Sequence, residues 1–404
     1  MDVGDVEYEP VSVKAVLAEM KDTAELMIDM SFSAVLLGSR EVAEEVLELE
    51  ERMDVLQMRA RMSLMMAARS PEDAEALAPV LGVVGATEKI SDATGDVAKV
   101  VIEEIGLPDA LRTALPEAIE TVARATVAED SPVAGRTLRD LNLETETGVR
   151  VIAIRRGGDW LLNPDRDDYI HAGDVLLLRG TEGNVAPVYA DVTGSEYVAP
   201  EPVEAGIEDL DRAVDSIVLM KNMSELSVDL AYGSVLYGSE GLAEEVAELE
   251  AEVDALQSRF EAWVLRAASR VDDPVSLRGL MHIAEATEVI SDAALEIAEG
   301  VLRGMGTHPV VAEAVFESDE VVVRLDVVPD SGLAGTTLGE RMVRTETGMR
   351  VIAVRHTDAD GDDWEISPGP ETLLQPGDVL IAKGTRAGAE RLSALTGDDS
   401  LDVD

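Results

Sequence analysis

The chain repeats itself. SREVAEEVLELE (39–50) returns as SEGLAEEVAELE (239–250), ATEKISDA (86–93) as ATEVISDA (286–293), and TETGVRVIAIR (145–155) as TETGMRVIAVR (345–355), all at an offset of 200 residues. Past the second hairpin the offset slips to 204, where HAGDVLLLRGT (171–181) matches QPGDVLIAKGT (375–385). The added residues fall in the acidic turn near DADGDDW, and a hairpin tip is where a fold tolerates an insertion. The 404 residues must therefore fold as two copies of one unit, each with two parts.

The first part of each unit is helical. Residues 11–38 have strongly helical composition, and residues 40–68 carry Val42, Val46, Leu49, Met53, Leu56 and Ala60 at alternating spacings of four and three. Leu242, Val246, Leu249, Val253, Leu256, Phe260 and Trp263 repeat the stripe. Such a stripe predicts antiparallel bundle packing. A third helix starts at Ser70-Pro71, with Glu72 and Asp73 suiting its positive end, and Asp273-Pro274 does the same in the second copy; Gly106 and Gly306 stop the two helices. Three helices make a marginal bundle, so the two halves are expected to pack into six.

The second part changes period. Segments 118–128 and 321–328 precede a Ser-x-x-Ala-Gly-x-Thr-Leu stretch that opens a short helix, followed by RVIAIRR, a hairpin, WLLNP, and a Gly-Asp turn into VLLLRG. Alternating β-branched strands around a short helix predict an α+β domain of about 75 residues. Residues 10–108 and 207–307 are thus assigned to helical halves and 112–195 and 309–397 to β-rich domains, with the acidic, proline-containing stretch 194–206 as linker.

Charge narrows the function classes. There are 82 acidic and 33 basic residues, a net charge of −49, and only six of the bases are lysine. Such a chain repels itself in dilute salt, and at molar salt, where the Debye length is roughly 3 Å, the repulsion is screened. The composition is that expected of a cytosolic protein from a salt-accumulating halophile. There is no basic footprint for nucleic acid. The absence of cysteine excludes disulfides, thiolate metal sites and cysteine nucleophiles. MDVGDVEYEP at the start lacks a signal-peptide pattern, and no run of about 18 apolar residues could span a bilayer, so a membrane role must come through a partner.

The motifs carry two resemblances. SPVAGRTLRDLNL, TETGVRVIAIRRGGDWLLNPD and AGDVLLLRGT, with SGLAGTTLGERMV, TETGMRVIAVR and PGDVLIAKGT in the second copy, resemble the TrkA-C domain, the C-terminal domain of regulators of potassium conductance. EEVLELEERMD and ATEKISDATGDVAKVV, with EEVAELEAEVD and ATEVISDAALEIAEGV, resemble half of a PhoU phosphate-transport regulator, whose full form is a six-helix bundle of two three-helix repeats. The implied fold is α+β: two PhoU-like three-helix halves, each followed by a TrkA-C-like domain, with one internal β-domain pair. Potassium-conductance regulators usually add a Rossmann domain, but no Gly-x-Gly-x-x-Gly follows a strand, so NAD is not expected.

The resemblances also imply sites. Glu-x-x-x-Asp pairs in PhoU proteins bind metal, and the matching positions are Glu50 and Asp54, Glu88 and Asp92, Glu250 and Asp254, Glu288 and Asp292. A spacing of four puts two carboxylates on one helix face, and two such helices offer oxygen ligands for hard divalent or iron cations. At this acidity roughly four such pairs arise by chance, so a solvated acidic face is the alternative. In several TrkA-C proteins cyclic di-adenosine monophosphate binds between paired domains. The candidates for it are Arg155, Arg156, Asn163 and Pro164, with Arg355, Ser367 and Pro368, arginine meeting phosphate bidentately. The alternative is that Arg155 and Arg355 are strand residues paired to nearby acids. His171, His282, His308 and His356 have no counterparts across the copies and read as surface or packing residues. No catalytic constellation emerges. The implied function is a cytoplasmic regulatory subunit of an integral-membrane cation transporter or channel, most naturally for potassium. The alternatives are a phosphate-uptake regulator and a metal-binding bundle; a further homodimer is left open.

Overall fold

The computed structural model describes residues 13–108, 111, 121–162, 164–198, 206–303, 320–358, 361–366 and 368–398. The first half runs α1 (Val13–Leu37), α2 (Arg40–Ala67), α3 (Pro71–Ile102), β1 (Thr121–Thr126), two short helices α4 (Leu138–Leu141) and α5 (Leu143–Thr147), β2 (Arg150–Arg156), β3 (Asp159–Leu162), β4 (Val175–Gly180) and α6 (Glu182–Thr193). The second repeats it as α7 (Glu208–Tyr237), α8 (Glu240–Ala267), α9 (Arg278–Leu302), β5 (Glu320–Asp326), α10 (Val343–Thr347), β6 (Arg350–Asp358), β7 (Gly361–Ile366), β8 (Val379–Thr385) and α11 (Arg386–Thr396).

Local chemistry sets the helix starts. Gly38 and Gly238 turn the chain at φ +61, a backbone region that L side chains avoid. Ser39 and Ser239 then cap α2 and α8, accepting from the backbone N–H of Val42 and Leu242 at 3.3 Å. The alternating stripe is buried from Val42 to Ala60 and from Leu242 to Phe260, with Trp263 half-buried. The second Asp-Pro start differs from expectation. Asp273 caps a 3-10 turn, Pro274–Leu277, before α9 begins, whereas Pro71 opens α3 directly.

The halves join through α3 against α9 and α1 against α7, giving the expected six helices around one core. Each sheet is antiparallel, ordered β1-β4-β2-β3 and β5-β8-β6-β7, with a bulge at Ile152 and again at Ile352. The sheets are covered on both faces. Val122, Ile152, Ala153 and Leu177 continue the bundle core, while Ala123, Ile154, Leu176 and Leu178 pack with Val185 and Val188 of α6. Burial on both faces explains why β2 and β4 are buried at four consecutive positions rather than alternating.

This layering corrects one expectation. The β-domains do not pack as a pair carried beside the bundle. β1 lies on α1 and α2, β5 lies on α7 and α8, and no comparable packing joins the two sheets among the described residues. The longer second hairpin is confirmed: β6 and β7 pair from Ala353–Ile366 out to Asp358–Gly361.

Candidate functional site

A buried glutamate on each half's second helix fixes the β-domain. Glu45 on α2 accepts from Arg124 Nε of β1 at 2.8 Å and lies 2.6 Å from Arg155 Nη2 of β2. Glu48, three residues on, takes Arg155 Nη1 at 2.7 Å. In the second copy Glu245 accepts from Arg324 Nε at 2.8 Å and from Arg355 Nε and Nη2 at 2.9 and 2.8 Å. Glu248 stands 3.3 Å from Arg355 Nη1. Trp160 and Trp364 lie with their ring centres 5.9 and 6.0 Å from the two guanidinium carbons, which suits cation–π attraction. The clamps are unequal. Burial raises the Glu45 carboxyl above its usual range against the pull of Arg124 and Arg155, and its Oε2 is buried without a partner.

Arg155 and Arg355, read as ligand candidates, are thus tied to helices of their own half. Arg156 forms a two-pronged ion pair with buried Asp174 at 2.9 and 2.7 Å and donates to the Tyr169 carbonyl at 2.7 Å. Burial opposes the Asp174 charge, but Arg156 and the His171 N–H outweigh it and hold the carboxyl low. Pro164 and Pro368 are half-buried in the loops after β3 and β7, and Asn163 and Ser367 lie outside the described residues. The expected phosphate contact therefore finds all three guanidinium groups engaged by carboxylates of the chain itself. In the second copy His356 replaces Arg156, with Nδ1 3.0 Å from Asp378 and Nε2 3.3 Å from Glu365. Burial lowers its pKa, and the two carboxylates more than reverse this, raising it. His171 and His282 are exposed, and His308 lies outside the described residues.

The Glu-x-x-x-Asp pairs do meet across helices. Glu50 is raised by burial and, against Lys99, by Asp92, Asp96 and Asp54; Asp92 is raised by burial, Glu88 and Asp54. Glu250 is raised by burial, Asp254 and Asp292; Glu288 by burial, Asp292 and Asp254. The copies differ in counter-charge. Lys99 Nζ lies 3.7 Å from Glu50, and Arg61 Nη2 donates to Glu88 at 3.0 Å. Their counterparts are Glu299 and Glu261, and no ion pair closes on Glu250, Asp254, Glu288 or Asp292 among the described residues. The all-oxygen donor set suits a hard cation. As placed, no three metal-ligating side chains among the described residues converge to hold one.

One motif escaped the sequence reading. Lys21, Glu25 and Asp29 stand four apart on α1, and Lys221, Glu225 and Asp229 repeat them on α7. Lys21 pairs with Glu25, Lys221 Nζ sits 2.6 Å from Glu225, and Arg179 of β4 reaches Asp29 at 2.7 Å and Glu225 at 3.3 Å. Burial, together with the neighbouring Glu225 charge, pushes Asp29 up to about 7. Burial pushes Asp229 up to about 6, against the opposing charge of Lys383. Glu225 goes the other way, to about 2, because Lys221 and Arg179 outweigh its burial. Two of the chain's six lysines belong to this ladder, a signal that was available: a lysine in an apolar helix needs a partner.

Comparison with known proteins agrees with the parts. Residues 17–101 and 217–301 match the PhoU domain, and residues 122–191 and 322–397 match the TrkA-C domain. The chain is a tandem PhoU and TrkA-C domain protein, the two kinds alternating. Neither matched family is a catalytic one. It is 28% identical over 135 residues to a protein named "Probable potassium channel protein 2" from Methanocaldococcus jannaschii, covering 31% of this chain and 38% of that one. It is 30% identical over 60 residues to "Ktr system potassium uptake protein C" of Bacillus subtilis, covering 15% and 27%. The chain thus spans well under half the length of these relatives. PhoU from Pseudomonas aeruginosa aligns with a TM-score of 0.40 at 14% identity, over 72% of this chain and 96% of that one. Among the described residues no helix is long and apolar enough to cross a membrane.

Proposed function

We propose that the protein is a regulatory subunit acting at the cytoplasmic face on a membrane transporter or channel for potassium. The observation that carries this reading is the pair of TrkA-C domains, each locked onto a PhoU half by a buried glutamate. A clamp of this kind joins the β-domain to its helices as one lever, so a change at either is passed to the other. The names of the two relatives, both concerned with potassium, support the choice of ion. Capture of membrane partners by the tagged full chain at native salt, followed by potassium uptake in a deletion strain, tests it. Recovery of a potassium transporter with altered uptake is the expected result; capture of none, with unchanged potassium accumulation, refutes it.

The PhoU halves support a second reading, regulation of phosphate uptake. The same capture decides between them, because a phosphate transporter or its sensor kinase would then be recovered instead. Under either reading, Glu250, Asp254, Glu288 and Asp292, on which no ion pair closes among the described residues, are the carboxylates offered to a divalent cation on the second half's surface, and the cation would have to draw them together. Oxygen ligands favour magnesium or manganese over softer metals there.

A further inference from the structure

Unpaired positive charge gathers where the two halves meet. A cavity of about 350 Å³, open to solvent, is lined by α1 and α7 and by strands of both β-domains. Its charged lining comprises six basic and four acidic side chains, in a chain where acids outnumber bases by 82 to 33. The four acids are the α1 and α7 carboxylates, and each faces a base nearby: Asp29 and Glu225 face Arg179 and Lys221, Glu25 faces Lys21, and Asp229 faces Lys383. Arg150, Arg344 and Arg350 are left over. All three are exposed, and none forms an ion pair or side-chain hydrogen bond among the described residues.

The strand register makes the placement deliberate. Arg150 stands directly opposite Arg179 across β2 and β4, and Arg350 directly opposite Lys383 across β6 and β8. Like charges facing one another across a sheet destabilise it. Both copies nevertheless keep the arrangement, and both present it to the same cavity from opposite sides. The rest of the wall is mostly apolar, with Phe32, Leu36, Ile217 and Ile352 among its residues and Ser33 and Asn222 as polar exceptions. A basic rim over an apolar wall in a cavity of this size fits a small organic anion.

We propose that this cavity binds one phosphate-bearing organic molecule, of up to nucleotide size, between the two halves. Arg150 and Arg350 grip its anionic group from the two β-domains, and Arg344 closes beside them. Planar guanidinium groups meet phosphate oxygens two at a time, which a lone lysine cannot do. Because the grip comes from both sheets, occupancy would tie together two β-domains that pack chiefly on the helices of their own halves. The site shares no residue with the Arg155 and Arg355 positions or with the carboxylate quartets. It also stands independently of which transporter the protein serves.

The test is calorimetric titration of the full chain with ATP and, separately, inorganic phosphate, at one fixed ionic strength. ATP is expected to bind at one molecule per chain and more tightly than phosphate. The double variant R150Q/R350Q should weaken ATP by at least about tenfold, the loss of a charge-assisted pair. R303Q, a surface arginine at the end of α9, should leave it unchanged. Binding of neither probe, equal weakening by R303Q, or undiminished binding in R150Q/R350Q would overturn the proposal. Should the double variant fold poorly by circular dichroism, the single variant R344Q carries the same prediction with a smaller loss, and undiminished binding there overturns it as well.

Discussion

Replacing Glu245 by Gln should loosen the second β-domain far more than the same change at Glu45 loosens the first. Glu245 is 2% exposed and holds Arg324 and Arg355 with both carboxylate oxygens. Removing its charge takes from Arg355, itself 9% exposed, its two-pronged carboxylate partner and leaves Glu248 at a longer 3.3 Å. Breaking a buried pair from one side costs about 3 kcal/mol or more. Glu45 is less well used: its Oε2 has no partner, and Arg155 and Arg124 retain Glu48 at 2.7 Å and Glu41 at 3.2 Å. There the cost should be about 1 kcal/mol, that of an ordinary hydrogen bond. The assay is urea unfolding, since guanidinium would screen the charges, in a background where Trp263 and the other domain's tryptophan are Phe. Trp364 then reports E245Q and Trp160 reports E45Q, each ring lying against the clamped arginine. Equal losses in the two domains, or less than about 1 kcal/mol for E245Q, would show that the glutamates merely accompany docking driven by apolar burial.

Three further outcomes follow from the charges. His356, its pKa raised by Glu365 and Asp378 against burial, stabilises the second β-domain fully below its unfolded pKa and loses that contribution as pH rises through its folded value; the Tm of that domain should fall across this window and H356R should abolish the fall, which a pH series by calorimetry reads. Asp29, pushed up to about 7, works in the same direction with pH: its protonated form is favoured, so stability declines as pH rises from the unfolded carboxyl range to about 7, and D29N should flatten the curve between about pH 4 and 7; an unchanged slope refutes the assignment. Manganese titration followed by paramagnetic broadening should show one site, lost in E288Q/D292N and unaffected by E50Q, because Lys99 and Arg61 already offset part of the first quartet's charge; two equal sites would overturn that asymmetry.

Much of the fold was legible because its signals are local or periodic. The stripe from Val42 to Ala60 repeats one helix face, and the serine caps act within three residues. The offset slip to 204 marked the longer hairpin before any coordinates, since an insertion must go where no partner is displaced. The site was legible only in part. Glu50 and Asp54 must share a helix face by spacing, and their convergence with Glu88 and Asp92 follows once α2 and α3 lie side by side. The arginines were left between two readings for a physical reason. A guanidinium on a strand looks the same in sequence whether it will meet a ligand or a carboxylate 107 or 110 residues away, as Arg155 meets Glu48 and Arg355 meets Glu245.

The duplication, the six helices, the two β-domains and their domain families were all determined by residue order, because periodicity and repetition are properties of the chain alone. Which face of each sheet meets the bundle was decided in three dimensions. So were the roles of Glu45 and Glu245 and the gathering of Arg150 with Arg350. Each joins groups 79 to 200 residues apart, and only packing sets which of many carboxylates in so acidic a chain an arginine will find, and which arginines will find none.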